Sequence, residues 1–425
     1  MNKSNPKTSS DNYDVVVVGA GFSGMYLVKK LRDLGLNFVI LEQGGDVGGT
    51  WYWNRYPGAR CDIPTVEYSY SFDKELEQSW DWQELMAAQP EILTYANQVA
   101  DNYDLRDAMR FNTRVASADF DENENSWTVV TDTGDEYLAR YFIMATGCLS
   151  VPNWPDIEGR EDYAGRTIHT GLWPHEKVDF TGLRVGIIGT GSSAVQSIPE
   201  IAATAKQLKV FQRTPVYTFP AGNHALDDDF RADIKARYED IRETQRGSLG
   251  GMAMFGVMGR LQEVGTEKIA DCSEEEREQR LVEEGLPSLR RYADVGLDLE
   301  ANEMACDLYR RHIADIIDDP ETAKALMPRG YPMGCKRQVV DIGYYEAFNR
   351  DNVSLIDLRE DPIERINESG VCTAGGQHDV DVLIYATGFD AMTGAINNVS
   401  ITGRSGTKLK DKWENGPRSY LGLQI

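Results

Sequence analysis

The sequence predicts an α/β protein with two Rossmann-like dinucleotide-binding domains and a helical insertion in the second. Three observations predict it. A strand, glycine turn and helix follow one another near the start, the same unit recurs near residue 184, and each is followed by a meander closing on a similar turn. Those closing turns are Met144-Ala145-Thr146-Gly147 and Tyr385-Ala386-Thr387-Gly388, so the chain reads as an internal duplication.

The first strand is Tyr13 to Val18, a β-branched run suited to a strand buried on both faces of a parallel sheet. Gly19-Ala20-Gly21-Phe22-Ser23-Gly24 follows, then a helix containing Met25, Leu27, Val28 and Leu31 that Gly35 closes. Phe38 to Leu41 forms the next strand, with Glu42 at its end. In the second unit, Val185 to Ile188 leads into Gly189-Thr190-Gly191-Ser192-Ser193-Ala194, a helix, and the strand Leu208 to Phe211.

The second copy is the longer, and its surplus falls where the strand signal vanishes. Phe230, Ile234, Tyr238 and Ile241 recur at helical spacing, Ser273 with Glu276 makes a capping box, and Asp319-Pro320 reads as an N-cap followed by an N1 proline. The predicted layout is 1–151 (first nucleotide domain, first part), 152–226 (second domain, first part), 227–328 (helical insertion), 329–380 (second domain, return) and 381–425 (first domain, return). The Gly- and Met-rich stretch Gly247 to Gly259 reads foremost as a flexible connection or a Met-packed turn. A mobile, substrate-facing loop is the alternative.

Composition narrows the field. A chain of 425 residues with 41% hydrophobic and 26% charged residues is ordinary for a globular protein long enough to bury a large core. Its net charge of −24 argues against nucleic-acid or anionic-membrane partners, which need basic patches. No apolar run approaches the roughly 20 residues of a membrane-spanning helix. Met1 to Tyr13 lacks a signal-peptide core. Cys61, Cys148, Cys272, Cys306, Cys335 and Cys372 form no CxxC pair, so they read as reduced thiols in a cytoplasmic protein. The histidines form no metal-like spacing, and no metal site is expected. A disulfide reductase, which needs a redox cysteine pair, is set aside.

The chemistry lies in the two turns. A helix N-terminus attracts a pyrophosphate through its unpaired N–H groups and its dipole. In the first turn Gly19 permits the tight bend, Gly21 lets backbone approach phosphate and Gly24 allows helix and strand to close. Glu42 can accept from both hydroxyls of an adenosine ribose, which suits FAD or NAD and repels a 2′-phosphate. The second unit ends its strand differently, in Gln212-Arg213-Thr214. Arg213 offers a fork of donors for the 2′-phosphate of NADP and Thr214 a hydroxyl, although a surface arginine is the plainer role. One site for FAD and one for NADPH is the economical assignment.

Two stretches go beyond the fold: Gly48-Gly49-Thr50-Trp51-Tyr52-Trp53-Asn54-Arg55-Tyr56-Pro57-Gly58-Ala59-Arg60-Cys61-Asp62, and Tyr163-Ala164-Gly165-Arg166-Thr167-Ile168-His169-Thr170-Gly171-Leu172-Trp173-Pro174. The second resembles the fingerprint FxGxxxHxxxWP of type I Baeyer–Villiger monooxygenases, with Tyr163 in place of the leading Phe. The resemblance covers nearly the whole chain. It implies that NADPH reduces FAD, that O₂ adds to the reduced flavin, and that the resulting peroxide anion attacks a ketone to give an ester or lactone. Gly334-Cys335-Lys336-Arg337 matches the segment that supplies a catalytic arginine, which makes Arg337 the catalytic expectation, with Asp62 as its partner acid. Lys336 matches a neighbour that contacts the 2′-phosphate beside Arg213. By the same resemblance, Gly49, Thr50, Trp51, Asp62 and Tyr68 stand with Phe22 and Ser23 among the FAD-side positions, and Thr190, Ser192 and Ser193 on the NADPH side. His169 and Trp173 are expected to serve as core or linker residues.

N- or S-oxygenation is the alternative activity, and a nucleotide-binding remnant without chemistry the other. Relatives continue past residue 425, and Leu421 to Ile425 reads as a strand entering a sheet. The expectation is therefore a shortened chain with an exposed sheet edge and a tendency to self-associate.

Overall fold

The computed structural model describes residues 11–248, 266–336 and 339–422. The chain divides into two compact units, one formed by 1–55, 92–153 and 388–425, the other by 56–91 and 154–387. The segment 56–91, which the sequence layout left inside 1–151, thus packs with the second unit.

The first unit is built on a seven-stranded sheet in the order Ser400–Thr402, Val115–Asp121, Ser126–Thr131, Glu136–Met144, Asp11–Val18, Phe38–Leu41 and Met109–Arg110. Asp11–Val18 pairs in parallel with Phe38–Leu41 across the helix Phe22–Asp33, and also in parallel with Glu136–Met144. The meander 115–144 is antiparallel, and Ser400–Thr402 closes its edge after the chain returns. Val16, Val39, Leu41, Val115, Val129 and Ala139 fill one face of the sheet.

The second unit holds a five-stranded, all-parallel sheet in the order Val353–Asp357, Gln207–Gln212, Arg184–Ile188, Val382–Tyr385 and Arg166–His169. Val185–Ile188 and Val382–Tyr385 at its centre are buried throughout, with apolar clusters packed on the sheet. Val382–Tyr385 lies in this sheet, so the chain re-enters the first unit only at Gly388.

The insertion is helical, with Asp228–Gly247, Glu274–Glu284, Leu299–Ile316 and Pro320–Leu326. Ser273 and Glu276 form the reciprocal capping box, and Asp319 caps the proline-initiated helix. Ile234, Tyr238 and Ile241 are buried on one face of Asp228–Gly247. Ala305, Tyr309 and Ile313 join Ile187, Val195 and Val210 in one apolar core, so the insertion is continuous with the sheet it interrupts. Most of the Gly- and Met-rich stretch lies outside the described residues. One expectation is corrected: Leu421 and Gly422 form a turn, with φ of +53° and +73°, which a strand cannot contain.

Candidate functional site

In the first unit, the strand Asp11–Val18 delivers the chain into a turn that only glycine can make. Gly19 sits at φ +107°, and a Cβ there would lie 2.5 Å from the Ala145 carbonyl oxygen. A Cβ on Gly24 would fall on the Gly19 carbonyl oxygen, so the helix could not start so close to the strand. The helix Phe22–Asp33 begins with Gly21 as N-cap, with no side chain capping it and no acidic residue in its first turn. A helix N-terminus without a side-chain cap attracts an anion through its backbone N–H groups and its dipole.

Glu42 stands beside that turn at 6% exposure. Its Oε2 accepts from Ala20 N and its Oε1 from Gly44 N, each at 2.7 Å. Burial raises its pKa, while those two N–H groups pull it down. The carboxylate is held in one orientation, and each oxygen keeps a lone pair for a ribose hydroxyl. Gly49, Thr50 and Trp51 lie at the start of the short helix Thr50–Trp53, with Trp51 buried and Thr50 exposed. Tyr52, which the sequence reading left without a role, accepts from Gly45 N through its hydroxyl at 2.9 Å. These features fit an adenosine diphosphate moiety such as that of FAD: an uncapped helix end, a ribose-facing carboxylate and a cradle that a Cβ would fill.

The second unit repeats the turn and changes its surroundings. Gly189 has φ +108°, and a Cβ there would lie 2.5 Å from the Ala386 carbonyl oxygen. The helix Ser192–Thr204 again has a glycine N-cap, Gly191, with no side-chain cap. Thr190 donates through its hydroxyl to Thr214 O at 3.0 Å, and the Ser193 and Thr170 hydroxyls lie 3.0 Å apart. Arg213 is exposed, and among the described residues it has no ion-pair partner. The Lys336 ammonium lies 4.4 Å from the centroid of the Tyr331 ring, whose hydroxyl donates to Pro215 O at 2.7 Å. Tyr331 thereby fastens the segment bearing Lys336 to the turn Arg213-Thr214-Pro215. Nothing in the sequence pointed to Tyr331, because the link depends on a ring meeting a backbone carbonyl 116 residues away.

Asp62 is half-buried, just beyond a loop clamped to the same helix. Tyr56 donates through its hydroxyl to Gln196 Oε1 at 2.9 Å, and Gln196 Nε2 donates to Arg60 O at 3.3 Å. Burial, reinforced by the Asp62 charge, pushes the Tyr56 pKa well up. Arg60 in turn donates to Glu84 at 2.8 Å. Gln196 was absent from the sequence reading; a buried polar residue in the helix that follows a glycine turn was the available signal. Tyr68 ends the short 3₁₀ turn Thr65–Tyr68. Arg337 lies outside the described residues, so the structure does not place it against Asp62.

The fingerprint residues are occupied internally. Tyr163 is buried and donates to Val380 O at 3.0 Å; burial, with Asp381 nearby, pushes its pKa up to about 12. A Cβ on Gly165 would collide with the Tyr163 ring, so the fingerprint glycine makes room for its aromatic. His169 Nδ1 accepts from Gly171 N at 3.0 Å, its Nε2 lies 3.3 Å from the Thr387 hydroxyl, and Trp173 is buried against Phe180. Among the described residues there is no cluster fit to hold a metal and no helix long and apolar enough to cross a membrane. None of the six cysteines is joined in a disulfide.

Two glycine turns, one beside a buried carboxylate and the other followed by an exposed arginine, define a scaffold with two dinucleotide-binding units. The model of the family described as pyridine nucleotide-disulphide oxidoreductase matches residues 16–254. Cyclohexanone 1,2-monooxygenase from Acinetobacter sp. is 41% identical over 423 residues, which is 97% of this chain and 76% of that protein. Phenazine N-monooxygenase PhzNO1 from Lysobacter antibioticus is 39% identical over 97% of this chain and 76% of its own. Among solved structures, an oxidised steroid monooxygenase bound to NADP superposes with a TM-score of 0.89 at 48% identity, covering 98% of this chain and 79% of that one. The chain belongs to the FAD- and NADPH-dependent monooxygenases of the type I Baeyer–Villiger family, on the scaffold it shares with the pyridine nucleotide-disulphide oxidoreductases.

Proposed function

We propose that this protein inserts one oxygen atom of O₂ next to a ketone carbonyl, giving an ester or lactone at the expense of NADPH. The observation that carries the cofactor assignment is the asymmetry between the turns: buried Glu42 at one strand end, and exposed Arg213 at the other, with Lys336 over the Tyr331 ring that is tied to Pro215. FAD, when bound, supplies the electron transfer and O₂ activation that no side chain of this protein can supply. Glu42 holds the adenosine ribose, and the N-termini of Phe22–Asp33 and Ser192–Thr204 each receive a diphosphate. Arg213, Thr214 and Lys336 select NADPH over NADH through the 2′-phosphate. Asp62 orients Arg337, whose guanidinium neutralises the negative charge that develops on the substrate carbonyl oxygen. The ketone assignment is supported by the fingerprint from Tyr163 to Pro174 and by the cyclohexanone-oxidising relative.

A second reading, N-oxygenation, is favoured by the similarity to a phenazine N-monooxygenase. The two separate at Arg337, since attack on a carbonyl builds oxyanion charge and attack by an amine lone pair does not. The test is product analysis with a panel of cyclic ketones, aromatic N-heterocycles and sulfides under NADPH and air. Ester or lactone formation from ketones supports the proposal; N-oxides alone would replace it with the second reading.

A further inference from the structure

The loop Glu42–Gly49 runs from the end of the second strand back to the first glycine turn, where a Cβ on Gly49 would stand 2.8 Å from Gly21 Cα. Its course decides whether the Glu42 carboxylate and the Phe22 helix end can receive one dinucleotide together. Gly48 N donates to Ala20 O at 3.2 Å at the far end, and Gly45 N to the Tyr52 hydroxyl at 2.9 Å. In its middle the loop is held by Gly44 O, which accepts from Asn112 N at 2.9 Å, and by Asp46. Its Oδ1 accepts from Val47 N at 2.8 Å, shaping the bend, and also from Arg106 Nε at 2.8 Å, with Oδ2 3.4 Å from Arg106 Nη2. The other guanidinium N–H groups reach Asp101 and Asn97, on the helix ending at Asn102. Arg106 itself belongs to the 3₁₀ turn Leu105–Ala108, whose chain continues into the edge strand Met109–Arg110.

We propose that Arg106 is a positioning residue for FAD: it fixes the Glu42–Gly49 loop, through Asp46, in the course that receives the adenosine diphosphate. A lone ion pair of this exposure contributes little to fold stability, but this one joins a ligand-facing loop to two acceptors on a helix. A lysine cannot replace the planar fork that reaches all three acceptors. The inference rests on the FAD reading above.

The test is FAD affinity of the deflavinated full chain, measured by quenching of flavin fluorescence, with NADP⁺ affinity and the melting temperature of the apoprotein recorded alongside. Arg106→Met is expected to weaken FAD at least tenfold with NADP⁺ affinity unchanged, and Arg106→Lys to fall between. Arg32→Met is the control, since Arg32 donates to the carbonyls of Tyr103 and Asp104 without reaching the loop; it should keep FAD affinity within twofold. An Arg106→Met protein with FAD affinity within twofold of the parent would overturn the inference. So would parallel losses of FAD affinity, NADP⁺ affinity and melting temperature. A parent chain that binds no FAD would overturn the cofactor reading and this inference with it.

Discussion

Replacing Arg213 with alanine removes one of the three groups assigned to tell NADPH from NADH. Arg213 is exposed and engaged with no acidic residue among the described ones, so removing it breaks no ion pair and leaves no buried charge behind. Any loss is then the loss of what the guanidinium does for a ligand. A hydrogen bond to a charged group contributes about 1.5–3 kcal/mol, which corresponds to roughly 10- to 150-fold in affinity. Lys336, on its Tyr331 platform, remains as a second cation, which places the expected loss for NADPH in the lower part of that range. NADH lacks the phosphate and should change less than twofold. The assay is flavin reduction under anaerobic conditions at several concentrations of each nucleotide. Raising ionic strength should shrink the parent's preference for NADPH, since exposed charges are screened. Equal losses for NADPH and NADH would refute the phosphate assignment and return Arg213 to an ordinary surface role.

Gly24→Ala places a methyl group on the Gly19 carbonyl and should abolish FAD retention while sparing NADP⁺ binding in the other unit; a yellow variant protein would contradict the assigned turn. Tyr163→Phe leaves the buried Val380 carbonyl without its donor, at a cost of about 1–2 kcal/mol seen as a lower melting temperature, with turnover unchanged. Asp381 has its pKa lowered by hydrogen bonds from the Arg184 side chain and backbone. Its contribution is therefore present above the ordinary aspartate range and is lost as pH falls through the lower folded value. Asp381→Asn should destabilise at pH 7, and the difference from the parent should shrink as pH falls below the ordinary aspartate range; a pH-independent difference would contradict this. Arg337→Ala should abolish ester formation while NADPH still reduces the flavin, read as NADPH consumption without product.

The opening strand of each unit was readable because it is a run rich in β-branched residues that ends on a glycine, Gly19 or Gly189, that no other residue could replace. The insertion was readable from its caps, since Ser273 with Glu276 and Asp319 before Pro320 are local signals. Glu42 and Arg213 could be singled out because each follows directly on a strand. Tyr331, Gln196 and Arg106 could not, because each acts on a partner distant in sequence that only tertiary packing supplies. The assignment of 56–91 to the second unit has the same origin: pairings such as Leu85 with His224 have no sequence signature. Leu421 misled because an apolar run carries no information about the sign of φ.

The most direct measurement of the central claim is to incubate purified protein with NADPH, a cyclic ketone and ¹⁸O₂, following the visible spectrum and the product mass together. The expected result is a flavin spectrum that bleaches on NADPH addition and recovers, with a lactone carrying one ¹⁸O atom. Bleaching and recovery with hydrogen peroxide and no labelled lactone would contradict it.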